Sequence, residues 1–468
     1  MINKVSSLVE SRWGAYLEEV RGFLRMPSIS PTGEGIEETA GFLRDFLEDR
    51  LSSESTLLRY GGHPIVYGSM DNGSDKTLIL YSMYDVLTVE PLKEWSSPPF
   101  GAEIVGGRII ARGAVNTKAP LMSMLLGLEA MRDAAGRIPV NLLFVVEGEE
   151  ETGSRSMTRL VDDREDELRS AQAAYFMMPT EGSKGKPQII LGKKGIVFVE
   201  LRVRESRYDV HASYAQLHHN PVEVVSNIIS SLKDIDGNII ADWVHADVVT
   251  PTEEDLRYLP ELIESFDLDE VVKPYGIERV RCSGRDAYIN VFYKPSVNVC
   301  GISGGYTGEG TKTITPAEAV VKMDFRLVPN MTPESTLNGF MMHLEAMGLR
   351  DVVDIRLYHN YDWSRTPIDA HITRAARKAF LDLGMKPYTV TSSMGSAPEY
   401  LFTKRLGLPI LTAGPGYGGR IHAPNEFIEV EGVRKMIEYM APLIAHWDKE
   451  AGKLARRDKD GGHLFDQG

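Results

Sequence analysis

Apolar residues recur at helical spacing over Ser11 to Leu24 and again over Ile36 to Leu51, which predicts two amphipathic helices near the start of the chain. The texture then changes. Thr77 to Tyr81 (TLILY) and Val140 to Glu147 (VNLLFVVE) are short, nearly unbroken apolar runs of the kind that form strands buried on both faces. Between them, Pro120 to Met131 has the length and spacing of a helix. Strand, helix, strand in that order implies an α/β architecture: a mostly parallel sheet with helices on both faces and a site in the loops at the strands' carboxyl ends. The acidic run Val146-Glu147-Gly148-Glu149-Glu150-Glu151-Thr152-Gly153-Ser154 falls at such an end.

After Gly195 the pattern alternates. Ile196 to Val203 reads as a strand with one exposed face, followed by an amphipathic helix over Pro221 to Lys233. A second set follows: strand Ala319 to Leu327, helix Pro333 to Met347 and strand Val353 to Leu357. Two such units in succession predict a small α+β domain inserted into the larger one. Residues 1–195 and 362–468 are therefore assigned to the main domain, and 196–361 to the inserted domain. The main domain resumes near Pro367 with a helix over Ile368 to Leu383, a strand over Pro409 to Ala413 and a last helix over Glu431 to Trp447. The charged tail, Lys453 to Gly468, has a composition that favours disorder.

A chain of 468 residues exceeds what one hydrophobic core usually serves, in keeping with two domains. The formal net charge of -14 argues against nucleic acid as a partner, which calls for a basic stripe to meet phosphates; a small molecule or dipeptide fits better. Two cysteines, Cys282 and Cys300, are too few for a disulfide framework, so the expected location is cytoplasmic. Charges at Glu10, Arg12, Glu18, Glu19 and Arg21 leave no apolar core for a signal peptide, and no later stretch approaches a membrane span.

A series of ordered landmarks runs through the chain. They are Met26-Pro27-Ser28-Ile29-Ser30, Tyr84-Asp85-Val86, Trp95 with Pro99-Phe100, Gly107-Arg108 leading to Arg112-Gly113-Ala114, and the acidic run. Asp209-Val210-His211, Thr313-Ile314-Thr315-Pro316-Ala317, Asp324 to Pro329, Gly395-Ser396-Ala397-Pro398 and His422-Ala423-Pro424-Asn425-Glu426 complete the series. In this order the chain resembles the M20 metallopeptidases, particularly the carnosinase-like dipeptidases and the relatives that hydrolyse N-acyl amino acids.

The resemblance implies two zinc-type ions sharing a bridging carboxylate, with a bridging water as nucleophile. Three of the five implied ligand positions are changed. A histidine is replaced by Met83, the bridging aspartate by Asn116 and a further carboxylate by Met178, while Glu151 and His422 remain. In the family, the positions of Met83 and Met178 serve one ion and those of Glu151 and His422 the other, so one ion position is lost as a unit. Thioethers are poor ligands for a hard divalent ion and good packing groups. The remaining set, Glu151, His422 and a neutral Asn116, implies one weakly held divalent ion, zinc or manganese, or none.

The resemblance assigns Glu150 as general base and Asp85 as the carboxylate that would orient the imidazole expected at position 83. With ions absent, adjacent carboxylates are expected to raise one another's pKa. By the same resemblance, His211 reaches across a homodimer interface formed by the inserted domain to stabilise an oxyanion. Arg326, with Asn298, Gly395 and Ser396, binds the substrate carboxylate. Simpler readings stand beside these: a solvated acidic turn, a loop histidine at His422, a surface histidine at His211, and an ion pair of Arg326 with Asp324. Gly305 to Gly310 reads as a loop without the features of a phosphate cradle. The expected activity is hydrolysis of a small carboxylate-bearing amide with reduced or absent metal dependence. A non-hydrolytic isomerase, cyclase or lyase using Glu150, and an inactive ligand-binding protein, remain as alternatives.

Overall fold

Helix Ile2–Leu24 buries Val5, Val9, Tyr16, Val20 and Phe23, a stripe at helical spacing, and helix Ile36–Leu51 buries a matching stripe through Leu43 and Leu47. Both pack into the main core of the computed structural model, which describes residues 2–459. At its centre is a nine-stranded sheet. Its order from one edge is Glu54–Leu58, Ile65–Met70, Asn141–Glu147, Thr77–Met83, Ala173–Met177, Ile410–Ala413, Lys186–Ile190 and Tyr388–Val390, and the ninth strand, Glu181–Ser183, pairs with Lys186–Ile190 off this path. The central strands Asn141–Glu147, Thr77–Met83, Ala173–Met177 and Ile410–Ala413 run parallel, as expected, and antiparallel pairs flank them.

Helix Lys118–Ala135 crosses one face and is buried continuously from Lys118 to Met131, because helices Ile2–Leu24 and Val430–Lys459 cover it. The last of these passes so close that a Cβ at Gly127 would lie 2.6 Å from the Ile437 carbonyl oxygen, which requires glycine there. On the opposite face Met83, Met157, Leu160, Phe176, Leu401 and Phe402 form a separate apolar cluster.

A second sheet holds four antiparallel strands in the order Ser296–Gly304, Glu318–Leu327, Gly195–Arg204 and Val353–Tyr361. Helices Pro221–Leu232 and Pro333–Ala346 contribute Val225, Ile228, Phe340 and Leu344 to a core of its own. This is the inserted α+β unit that the alternating pattern predicted. The chain enters and leaves it through two short strands, Gly192–Lys193 and Ser364–Arg365, that pair antiparallel with each other.

The structure contains elements that the periodicity did not reveal. Edge strand Ser296–Gly304 is mostly exposed and carries Asn298, Cys300 and Gly301, so it shows no clean alternation. Helix Glu253–Ser265 contains Pro260 and is started by a capping box between Thr252 and Asp255. The tail requires a correction: helix Val430–Lys459 continues through Lys453 instead of ending at Trp447. Glu450 draws Arg374 (2.7 Å), Lys378 (2.6 Å) and Lys453 (2.7 Å) to it, which fastens the extra turns to helix His371–Asp382. The remainder of the predicted tail, 460–468, lies outside the described residues. Among the described residues no helix is long and apolar enough to cross a membrane.

Candidate active site

Strands Thr77–Met83 and Asn141–Glu147 are parallel neighbours with Met83 opposite Glu147, so Tyr84-Asp85 and the acidic run leave the sheet side by side at its carboxyl edge. There the chain makes a tight turn over Glu150–Thr152. Asp85 is buried and fastens that turn: Oδ1 accepts the Glu150 N–H and Oδ2 the Glu151 N–H, each at 3.1 Å. With no imidazole at position 83 to orient, Asp85 instead fixes the backbone from which both carboxylates project.

The acidic run is not a solvated turn. Glu147 is buried and accepts the Tyr81 hydroxyl at 2.6 Å. Glu149 accepts the Ser156 N–H at 3.2 Å and lies over Gly62, where a Cβ would come within 2.0 Å of its carboxylate. Burial holds the Glu150 carboxyl well above the usual carboxylate range, reinforced by Glu151 and Asp85 and opposed by Lys193. Burial likewise raises Glu151, with Asp85 and Glu426 adding to it, and pushes Asp85 up to about 6. The expected direction is therefore observed, with desolvation ahead of carboxylate repulsion.

Asn116, Glu151 and His422 converge although they are far apart in sequence. Asn116 Nδ2 donates to Glu151 Oε1 at 2.7 Å and lies 3.2 Å from His422 Nε2, which is itself 3.0 Å from Glu151 Oε2. Glu426, which the motif reading did not single out, holds this corner from beneath. Its Oε1 accepts the N–H groups of Val115 and Asn116, both at 3.0 Å, and its Oε2 pairs with buried Arg112 at 3.0 Å. Nothing in the sequence signalled this role, because the burial of Arg112, which calls for a buried acid, is visible only in the fold.

Met83 belongs to the apolar cluster that includes Tyr81, Phe176 and Phe402, and the partly buried Met178 packs against that cluster. These thioethers do not fit the second ion of a two-ion site. Among the described residues no group of three or more His, Cys, Asp or Glu side chains is placed to hold a metal. The donors that do converge are Glu151, His422 and the Asn116 amide, a set compatible with one ion and carrying a single formal negative charge.

Arg326 makes both contacts considered for it: Nε donates to Asp324 Oδ1 at 3.0 Å, and one terminal nitrogen donates to Ser396 Oγ at 2.8 Å. Asn298 Nδ2 reaches the other Asp324 oxygen at 2.9 Å, so Asn298, Asp324, Arg326 and Ser396 form one polar group on the inserted sheet and the facing loop. Gly395 joins that loop to the crossing ribbon by accepting the Lys194 N–H. His211 lies elsewhere, on the exposed strand Val210–His211, with Nδ1 2.9 Å from Ser213 Oγ. His359, on strand Val353–Tyr361, meets the acidic turn: a Cβ at Gly153 would lie 2.7 Å from His359 Cβ, so the inserted unit abuts the turn directly.

With this geometry in place, comparison with known proteins adds ancestry. The sequence profile of Peptidase family M20/M25/M40 matches residues 79–446. The chain is 28% identical over 400 residues to the Cys-Gly metallodipeptidase dug1 of Schizosaccharomyces pombe, a match covering 81% of this chain and 82% of that protein. It is 28% identical over 291 residues to the Beta-Ala-His dipeptidase of Rattus norvegicus, where the match spans 61% of this chain and 58% of that protein's length. A crystal structure of the M20 family metallo-carboxypeptidase Sso-CP2 from Sulfolobus solfataricus superposes with a TM-score of 0.86 at 32% identity, covering 93% of this chain and 99% of that one.

Proposed function

The chain belongs to Peptidase family M20/M25/M40, and from that premise we propose that it hydrolyses the amide bond of a small carboxylate-bearing substrate, a dipeptide or N-acyl amino acid, with Glu150 as general acid and base. The observation that carries this reading is a half-buried, backbone-fixed Glu150 in a chain that also keeps the polar group around Arg326. Relatives named as dipeptidases support the substrate class.

Arg326 receives the substrate carboxylate, with Asn298, Gly395 and Ser396 shaping its seat. Glu150 takes a proton from water as the water oxygen attacks the carbonyl carbon, and returns that proton to the departing nitrogen. Asp85 keeps the turn rigid while this occurs. Glu151, His422 and Asn116 would hold a single divalent ion, which when bound would polarise the water or carbonyl. Residues 196–361 act as lid and dimerisation unit, and His211 from a second copy of the chain completes the oxyanion site. The replacement of hard ligands by Met83 and Met178 favours one other reading, a metal-free isomerase, cyclase or lyase on the same proton-holding Glu150.

Turnover of Cys-Gly and β-Ala-His, measured with and without chelator and alongside metal content, tests the proposal. Hydrolysis falling by about 10²–10⁴ in Glu150→Gln is the expected result. An unchanged rate in that variant would exclude the mechanism. Release of an isomer with no free amine would favour the metal-free alternative.

A further inference from the structure

Helix Glu253–Ser265 belongs to the insertion by sequence, yet it packs on the edge of the main sheet. Its Leu259 and Leu262 form an apolar cluster with Phe292, Tyr293 and Val390, the last on edge strand Tyr388–Val390. Polar contacts follow the same seam: Glu264 accepts the Tyr388 hydroxyl at 2.6 Å, and Glu261 accepts the Thr389 N–H at 2.5 Å. In the first turn of this helix sits Asp255, fully buried.

The Asp255 carboxylate takes donors from three places. Oδ2 accepts the Thr252 N–H and hydroxyl, both at 2.9 Å, which caps its own helix. Capping occupies only that oxygen. Oδ1 accepts Arg365 of the crossing ribbon at 2.8 Å and the Thr391 hydroxyl at 2.7 Å. Thr391 directly follows strand Tyr388–Val390 and opens the loop that carries Gly395 and Ser396. That loop runs against the ribbon and the residues just after it: the Ser393 N–H donates to the Gly192 carbonyl at 2.8 Å, and the Lys194 N–H to the Gly395 carbonyl at 3.0 Å. Ser396 Oγ donates to the Gly195 carbonyl at 3.2 Å and accepts from Arg326 at 2.8 Å. One buried carboxylate therefore stands at the root of both segments that place Ser396 beside Arg326.

We propose that Asp255 is a positioning residue for the substrate's carboxylate: by joining Arg365 to Thr391 it sets loop 391–396 against the ribbon, and with it the place of Ser396 at Arg326. The inference rests on the reading of Arg326 and Ser396 as the carboxylate seat, and adds a residue that acts on that seat from behind. A shift of the loop would leave a buried charge or hydroxyl unpaired, so the clasp holds a single arrangement. A bidentate seat is sensitive to such placement, because an arginine fork and a neighbouring hydroxyl must meet the same two oxygens.

The test compares β-Ala-His with its C-terminal amide, which lacks the negative charge, on the full chain. Calorimetric binding is measured in a Glu150→Gln background, where substrate persists, and turnover in the otherwise natural chain, with thermal melting as the control for folding. Asp255→Asn keeps the size of the side chain but turns an NH₂ group towards two donors whichever way the amide lies. It is expected to weaken β-Ala-His binding by about tenfold and to leave the amide within about twofold, with KM raised and kcat little changed. Thr391→Val removes only the loop's tie at constant size and should shift the same preference by about threefold. It carries the comparison should Asp255→Asn fail to fold. A fall in kcat for both substrates alike, with the preference unchanged, would reduce Asp255 to a structural residue and overturn the proposal. Arg326→Met removes the seat itself and locates any failure. Preference lost in Arg326→Met but kept in Asp255→Asn, or in Thr391→Val where the former does not fold, rejects the role of Asp255 and leaves the seat standing. Acid and amide bound equally by the wild type overturns both. An Asp255-dependent preference without turnover would sustain the positioning role and reject hydrolysis.

Discussion

Met83, Asn116 and Met178 stand where the family resemblance implies an imidazole and two carboxylates, so restoring those ligands tests whether the second ion position was lost through these three changes. The triple change Met83→His, Asn116→Asp, Met178→Asp should therefore raise bound zinc to about two per chain by elemental mass spectrometry, against one or fewer in the natural chain. No gain in zinc would mean that the cluster around Tyr81 and Phe402 has closed the space. Under the proposed mechanism Arg326 contributes binding that persists from substrate to transition state, so Arg326→Met should raise KM by about tenfold or more with kcat nearly unchanged. A fall in kcat alone would argue against a carboxylate-binding role. Glu150, Glu151, Asn116 and His422 were legible in sequence because each belongs to a local motif with its own spacing. Glu426 was not, because its role depends on partners far along the chain: it serves the backbone of Asn116 across 310 residues.

Helix His371–Asp382 begins with a histidine sealed against helix Val430–Lys459, its ring centroid 6.2 Å from that of Trp447. Among the described residues His371 Nε2 has no hydrogen-bond partner, and burial lowers the imidazole from 6.5 to about 4. The unfolded chain thus binds the extra proton more readily. Its contribution is complete above about pH 6.5 and is lost as the pH falls towards about 4, a change of about 3 kcal/mol across that window. Urea unfolding at several pH values should show this slope in the wild type and a flatter one in His371→Phe. An unchanged slope would assign the acid sensitivity to other groups. The helices and buried strands were readable because their periods are set by burial on one or both faces. Edge strand Ser296–Gly304 escaped because most of it faces solvent, and burial there leaves little imprint on residue choice.

The exposed position of His211 makes a site built by one chain incomplete under the proposed mechanism. Mixing inactive His211→Ala and Glu150→Gln chains under conditions that allow subunit exchange should restore about a quarter of wild-type activity, because half of the random dimers carry one intact site. Sedimentation should show a dimer before mixing, and failure to regain activity would confine His211 to its own subunit. The two-part architecture was evident in the switch from buried to alternating strands near Gly195, whereas the way the parts join was not. That join is the pair Gly192–Lys193 and Ser364–Arg365, two strands lying side by side where the chain departs and returns. Entry and exit at adjacent points make residues 196–361 a cassette: a short hairpin turn can bridge the gap without disturbing the register of the main sheet. Evolution can therefore graft, exchange or discard the whole insertion in one genetic event, altering which molecules the protein admits while the older sheet keeps its fold.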